Sequence, residues 1–145
     1  MEVDIKKLNK NAIIPTCGTE YSAGYDLYAC IDDAVTIKPN ETVFIKTGIA
    51  MSIPKGYAGF IYARSGLSTK RDLAPANKVG VVDADYRGEI MVALHNHGLS
   101  NQTVENGERI AQMVIAPFLK VEFKEVEELD STVRGTNGFG STGSK

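Results

Sequence analysis

Short apolar runs separated by polar punctuation follow one another along this chain, and their period is that of a strand. Val35-Thr36-Ile37-Lys38 stops at Pro39-Asn40, and Thr42-Val43-Phe44-Ile45-Lys46 resumes the pattern, which predicts two strands around a turn. Gly48 and the Pro54-Lys55-Gly56 cluster punctuate the stretches that follow. Tyr57 to Ala63 predicts a further strand, and Glu89 to His95 places Ile90, Val92 and Leu94 on one face. Arg109 to Phe118 and Leu119 to Val126 predict two more. The one helix expected is short, Ser65 to Lys70, with Ser65 as N-cap and the pattern ending before the Pro75 region. Seven or eight short strands predict an all-β fold, a jelly-roll β-sandwich with one short helix.

After Leu129 the apolar periodicity stops, and Asp130 to Lys145 is rich in Gly, Ser and Thr. Such a segment buries too little apolar area to order itself without a ligand or a partner. The expected organisation is one core domain over 1–129 and a flexible C-terminal arm over 130–145, with no internal repeat.

Composition narrows the ligand. An apolar content of 43% in 145 residues suffices for one core. A net charge of −2, with both signs interspersed, leaves no broad positive field to follow a nucleic-acid backbone. A small polyphosphate stays compatible, because a few arginines, backbone N–H groups and a metal ion offset its charge locally. Met1-Glu2-Val3-Asp4-Ile5 is not a basic region leading into an apolar run, and no stretch of about 18 apolar residues occurs, so neither a signal peptide nor a membrane span is expected and the location is read as cytoplasmic. Cys17 and Cys30 lack CxxC spacing and are read as reduced packing residues rather than a disulfide or a zinc site.

Four segments carry candidate chemistry. Arg134 to Gly143 offers backbone N–H groups, three hydroxyls and a guanidinium, all donors to phosphate, and its alternative is a plain disordered tail. Gly138-Phe139-Gly140-Ser141-Thr142-Gly143 fits GxGxxG, but no helix follows to meet a pyrophosphate, and Ser144 rather than Lys comes directly after the last glycine, so it is not a P-loop. Ala63-Arg64-Ser65-Gly66-Leu67-Ser68 sets a guanidinium, a hydroxyl and free N–H groups where a strand passes into a helix, against the alternative of a surface arginine beside an ordinary cap. Gly80 to Gly88 runs an apolar strand into a β-turn with Asp83 and Asp85 at its mouth; on a continuing strand the two would share a face. A carboxylate there suits a general base, and its alternative is a pair of turn-forming Asp residues. His95-Asn96-His97 has an alternate spacing able to hold a metal but no evident third ligand, and is read as structural. The acidic run Glu122 to Asp130 is read as a solvated strand edge.

In order, Ala23-Gly24-Tyr25-Asp26-Leu27-Tyr28-Ala29, Arg64-Ser65-Gly66-Leu67, Asn77 with Gly80 to Gly88, Gly107-Glu108-Arg109-Ile110-Ala111-Gln112 and the glycine-rich arm resemble the five motifs of the trimeric all-β dUTPase family, over nearly the whole chain. The resemblance implies a jelly-roll homotrimer whose three active sites lie between subunits and are closed by the arm, hydrolysing dUTP to dUMP and pyrophosphate. It implies Asp83 as the acid that holds the 3′-OH and activates the attacking water, and Tyr86 as the ring that leaves no room for a 2′-OH. Asn77 would bind the uracil edge together with strand backbone, the surrounding contacts being Gly80, Val82 and Met91. Arg64, Ser65, Gly66 and Gln112 would meet the triphosphate, Arg134, Gly140, Ser141 and Thr142 would close on its far end, and Phe139 would stack on the base. Mg²⁺ would bridge phosphate oxygens, with Asp26 an outer-shell partner through water. Ala63, where Pro often precedes the Arg, and Thr136-Asn137, where smaller residues are usual, depart from the family pattern and bear on rate. Two rivals share parts of this pattern: a dCTP deaminase of the same fold, against which stand Asp83, Tyr86 and Phe139, and a non-catalytic binding protein.

Overall fold

The computed structural model describes residues 1–138. Twelve strands and one helix follow in order: β1 (Asp4–Lys7), β2 (Thr16–Cys17), β3 (Tyr25–Tyr28), β4 (Val35–Ile37), β5 (Thr42–Lys46), β6 (Ile49–Ser52), β7 (Tyr57–Tyr62), α1 (Ser65–Arg71), β8 (Leu73–Pro75), β9 (Gly80–Val82), β10 (Met91–Asn96), β11 (Gln102–Val104) and β12 (Arg109–Pro117). Every pairing is antiparallel. One sheet runs β2-β3-β12-β7-β9, a second β5-β10-β8, and β1-β6 and β11-β4 close the flanks. The result is an all-β jelly roll with one short helix, as the alternating pattern predicts.

Alternation builds the core directly. Ile90, Val92 and Leu94 point inward from β10 and its approach, and Ile45 of β5 lies opposite Val92. These residues pack with Leu27, Ile37, Ile49, Leu73 and Ile110 into one continuous apolar cluster. The Pro39-Asn40 turn takes the conformation its residues favour: Asn40 adopts φ 60°, a region open to Asn, and Glu41 N donates to Lys38 O at 3.0 Å.

The helix begins where expected but is capped differently. Arg64, not Ser65, is the N-cap; its backbone is extended and its carbonyl accepts from both Leu67 N and Ser68 N. Ser65 is therefore the first helical residue, and its hydroxyl is not spent as a cap. The helix ends at Asp72 in a left-handed conformation, φ 53°, before Pro75 is reached. Arg71 then fastens this end: its guanidinium donates to Glu108 and to Thr103 O, and its Nε to Gln102 Oε1 at 3.2 Å.

Four expectations are corrected. Leu119 to Val126 forms no strand, although it alternates, because no strand among the described residues pairs with it; Leu119 and Phe123 are almost fully exposed. The acidic run Glu122 to Asp130 is solvated, but it edges no sheet for the same reason. Cys17 is exposed on β2, so only Cys30 is a packing residue; burial, with Glu89 and Asp32 nearby, pushes its thiol pKa up. Asp83 and Asp85 lie beyond the end of β9 in a turn, not on a strand face.

The middle residue of His95-Asn96-His97 is a structural anchor. The Asn96 side chain is fully buried; its Nδ2 donates to Ile37 O at 2.9 Å and Ser100 O at 2.8 Å, and its Oδ1 accepts from Gly98 N. Replacing it by an apolar side chain strands three buried backbone groups. Asn96→Leu is expected to destabilise the fold by roughly 2–5 kcal/mol in urea unfolding; a loss under about 1 kcal/mol would show that these groups find other partners.

Candidate active site

The central strands of the five-stranded sheet put polar residues in register. Thr16 pairs with Asp26, Asp26 with Gln112, and Gln112 with Tyr62, so one row crosses β2, β3, β12 and β7. Arg64 follows two residues after Tyr62. A cavity of about 480 Å³ opens over this row, lined by Asp26, Tyr62, Arg64, Ser65, Gly66, Arg109 and Gln112 among others.

A β-bulge decides how Arg109 joins. Strict alternation sends residues three apart to opposite faces, so Arg109 and Gln112 could not share the cavity. The register of β12 against β3 shifts between Arg109 and Ala111: Ala111 opposes Leu27, and Arg109 already opposes Tyr28. Ile110 is the extra residue. Ile110 and Ala111 both enter the core, and Arg109 emerges on the side of Gln112.

There the Asp26 carboxylate, only 13% exposed, accepts from Arg64 Nε at 2.7 Å through one oxygen and from Arg109 Nη1 at 3.2 Å through the other. One carboxylate orienting two guanidinium groups leaves a net positive charge, and the planar forks keep further N–H donors for an anion. Gln112 is also pre-set: its Nε2 donates to Ala63 O at 2.9 Å, and its amide lies where a Cβ on Gly24 would stand, 2.3 Å from Gln112 Oε1. Gly24 is thus required for this Gln rotamer. A Cβ on Gly66, by contrast, would meet no atom within 4 Å. Nothing in the described residues requires glycine there, which fits a backbone that a ligand approaches closely.

The cavity fits a metal ion in only one way. Among the described residues no three His, Cys, Asp or Glu groups converge to hold an ion. Asp26 is the one carboxylate lining this cavity, and both its oxygens already face arginines. No cage for a protein-held cation exists; a hard cation arriving on a polyphosphate, with waters of its own, is what these donors accommodate.

The remaining sequence-predicted residues gather elsewhere. Asn77, Gly80, Val82, Asp83, Tyr86 and Met91 line a second cavity of about 230 Å³, together with Phe44, Ile61 and Glu89. Its wall is β9, the edge strand of the five-stranded sheet, whose outward backbone donors and acceptors pair with no other strand among the described residues. Asp83 sits exposed just past this edge, in a turn closed by Tyr86 N to Asp83 O at 3.1 Å. Tyr86 Oη donates to Glu89 O at 2.9 Å, which anchors the ring. The two cavities share no lining residue.

Arg134 lines neither cavity and donates to Asn137 O within its own segment, at 3.0 Å. Phe139, Gly140, Ser141 and Thr142 lie outside the described residues. His95 and His97 meet edge to face, centroids 4.4 Å apart, with Thr42 Oγ1 at 2.8 Å from His95 Nδ1. Desolvation, then His95 and Lys78, lower the His97 pKa, and the pair takes no part in either cavity. Sequence reasoning gave no role to Arg109, Gly24 or Phe44. The first two stood within the quoted motifs; Phe44, an aromatic on the polar side of an alternating strand, was itself a signal.

A sequence profile described as dUTPase matches residues 10–143. A deoxyuridine 5′-triphosphate nucleotidohydrolase of Hydrogenobaculum sp. is 48% identical over 145 residues, all of both chains, and one of Acinetobacter baumannii is 45% identical over 99% of each. The solved structure of Staphylococcus bacteriophage 80alpha dUTPase with dUPNHPP matches with a TM-score of 0.89 at 35% identity, covering 98% of both chains. That of the dUTPase from phage phi11 of S. aureus matches at 0.82 and 28% identity, covering 91% of this chain and all of the other.

If Arg64 donates to an oxyanion in the larger cavity, Arg64→Ala removes a charge-assisted bond and frees Asp26 from half of its pairing. Pyrophosphate affinity by titration calorimetry is expected to fall roughly ten- to hundredfold. Unchanged affinity would take this cavity out of anion binding.

Proposed function

The chain belongs to the dUTPase family, and on that premise we propose that it is a dUTP pyrophosphatase, releasing dUMP and pyrophosphate by attack of water on the α-phosphorus. The reaction would limit uracil incorporation into DNA and supply dUMP for dTMP synthesis. The observation that carries this reading is the sorting of the predicted residues into two chemistries: a carboxylate and an aromatic ring beside an unpaired strand edge, and paired arginines with Ser65 and Gln112 over a polar row.

At the first cavity the outward backbone of β9 and the Asn77 amide offer donors and acceptors to the uracil edge. Cytosine exchanges a donor for an acceptor there and leaves partners unpaired, which is costly in a buried site. Tyr86 packs against the deoxyribose. Asp83 holds the 3′-OH and takes a proton from the attacking water as its oxygen bonds to the α-phosphorus; the bond from that phosphorus to the α,β-bridging oxygen breaks and pyrophosphate leaves. Arg64, Ser65, Gly66 and Gln112 bind the phosphates, and Arg109 adds positive charge beside them. Arg134, Gly140, Ser141 and Thr142 close over the far end of the triphosphate, with Phe139 stacked on the base. Mg²⁺ bound with the triphosphate would supply further charge neutralisation, and Asp26 would be its outer-shell partner through water.

Since the two residue sets occupy separate cavities of one chain, the reading includes a homotrimer whose active sites join one copy's nucleoside cavity to another's phosphate cavity. The exposed apolar alternation of Leu119, Val121 and Phe123, which nothing among the described residues covers, supports a second copy. No helix among the described residues is long and apolar enough to cross a membrane. A cytoplasmic location and a ligand set without nucleic acid complete the proposal.

The decisive assay follows pyrophosphate and ammonia separately from dUTP, dCTP, dTTP and UTP, with magnesium and with chelator. Magnesium-stimulated pyrophosphate from dUTP alone is expected. Ammonia from dCTP would assign a deaminase instead, and silence on all four would favour a binding protein. Asp83→Asn should keep dUTP binding and lower kcat by about two to four orders of magnitude; near-native turnover would remove Asp83 from the mechanism.

A further inference from the structure

The Tyr86 ring does not stand free at its cavity. Its hydroxyl end occupies the space beside Gly88, two residues further along the same turn. A Cβ built on Gly88 would fall 2.4 Å from Tyr86 Oη and 2.6 Å from Cζ, closer than real Cβ atoms come, and 3.0 Å from Cε2. The conformation of Gly88 is not the cause, since its φ lies outside the left-handed region and any residue could adopt its backbone. What the glycine provides is space. With the ring seated there, its hydroxyl reaches Glu89 O at 2.9 Å, and Glu89 is itself fixed where its carboxylate accepts from Gly48 N at 2.9 Å.

We propose that Gly88 is a specificity-positioning residue, whose missing side chain seats the Tyr86 ring at the depth that excludes a 2′-hydroxyl. This rests on the reading of Tyr86 as the sugar-facing group. Any side chain at position 88 lifts the ring and breaks its bond to Glu89 O. Because Tyr86 is 44% exposed, the ring can swing outward without disturbing the core. The cost therefore falls on the shape of the sugar site and not on the fold.

The experiment compares kcat/KM for dUTP and UTP in the full-length protein with Gly88→Ala, Tyr86→Ala, the double variant and Tyr86→Phe. Gly88→Ala is expected to lower the dUTP-to-UTP ratio roughly ten- to hundredfold, the range over which an apolar surface rejects an added hydroxyl. The double variant should lose no more than Tyr86→Ala alone, because both act through one ring. Tyr86→Phe, which keeps the ring but not its anchor, should lose part of the ratio. A ratio within about twofold of the parent in Gly88→Ala, while Tyr86→Ala relaxes it, would overturn the seating role and leave the sugar-facing reading intact. A ratio unchanged in Tyr86→Ala would overturn that reading, and this inference with it.

Discussion

One extra residue in β12 governs both the core and the anion-binding cavity. With Ile110 bulged, two consecutive apolar side chains enter the interior, and Arg109 turns out beside Gln112. Arg109 then reaches Asp26, and Asp26 in turn orients Arg64. Without the bulge either Ile110 would face the cavity or Arg109 would be driven toward the core, where a guanidinium has no partner and its desolvation is not recovered. Apolar packing and the charge constellation are thus two results of the same local irregularity, and neither can be altered alone.

The two cavities divide the labour between shape and charge. The β9 edge presents backbone groups whose positions the sheet holds rigidly, beside one anchored ring, so on the proposed function selectivity would rest on secondary structure and that ring. The arginine pair, by contrast, is held by side-chain contacts in a half-exposed setting and supplies attraction to any polyphosphate. On the proposed function, charge at one cavity and shape at the other would have to be satisfied together for a nucleotide to bind well.

Much of this was legible from alternation and from the motifs. β5, β7, β10 and β12 are long enough for a period of two to show, and of the residues in the motifs Arg64, Ser65 and Gln112 line one cavity and Asp83 and Tyr86 the other. The strands β2, β8, β9 and β11 have two or three residues each, too few to display a period. The cap shifted by one residue because the hydrogen bonds of the first turn start at the Arg64 carbonyl, a choice the backbone makes and the Ser65 side chain does not reveal. Leu119 to Val126 shows the converse limit: alternation states that a segment has an apolar side and is silent about which strand covers it. Arg109 and Gly24 escaped because their roles arise from register and from contact with Gln112, both set by segments distant in sequence.

The polar row draws Thr16, Asp26, Tyr62 and Gln112 from four widely spaced parts of the chain, and β1 waits for β6. Such non-local pairing closes late and slowly. During synthesis β3 and β7 stay unjoined until β12, which pairs with both, has left the ribosome, so the row under the larger cavity is completed by one late strand and not assembled piece by piece.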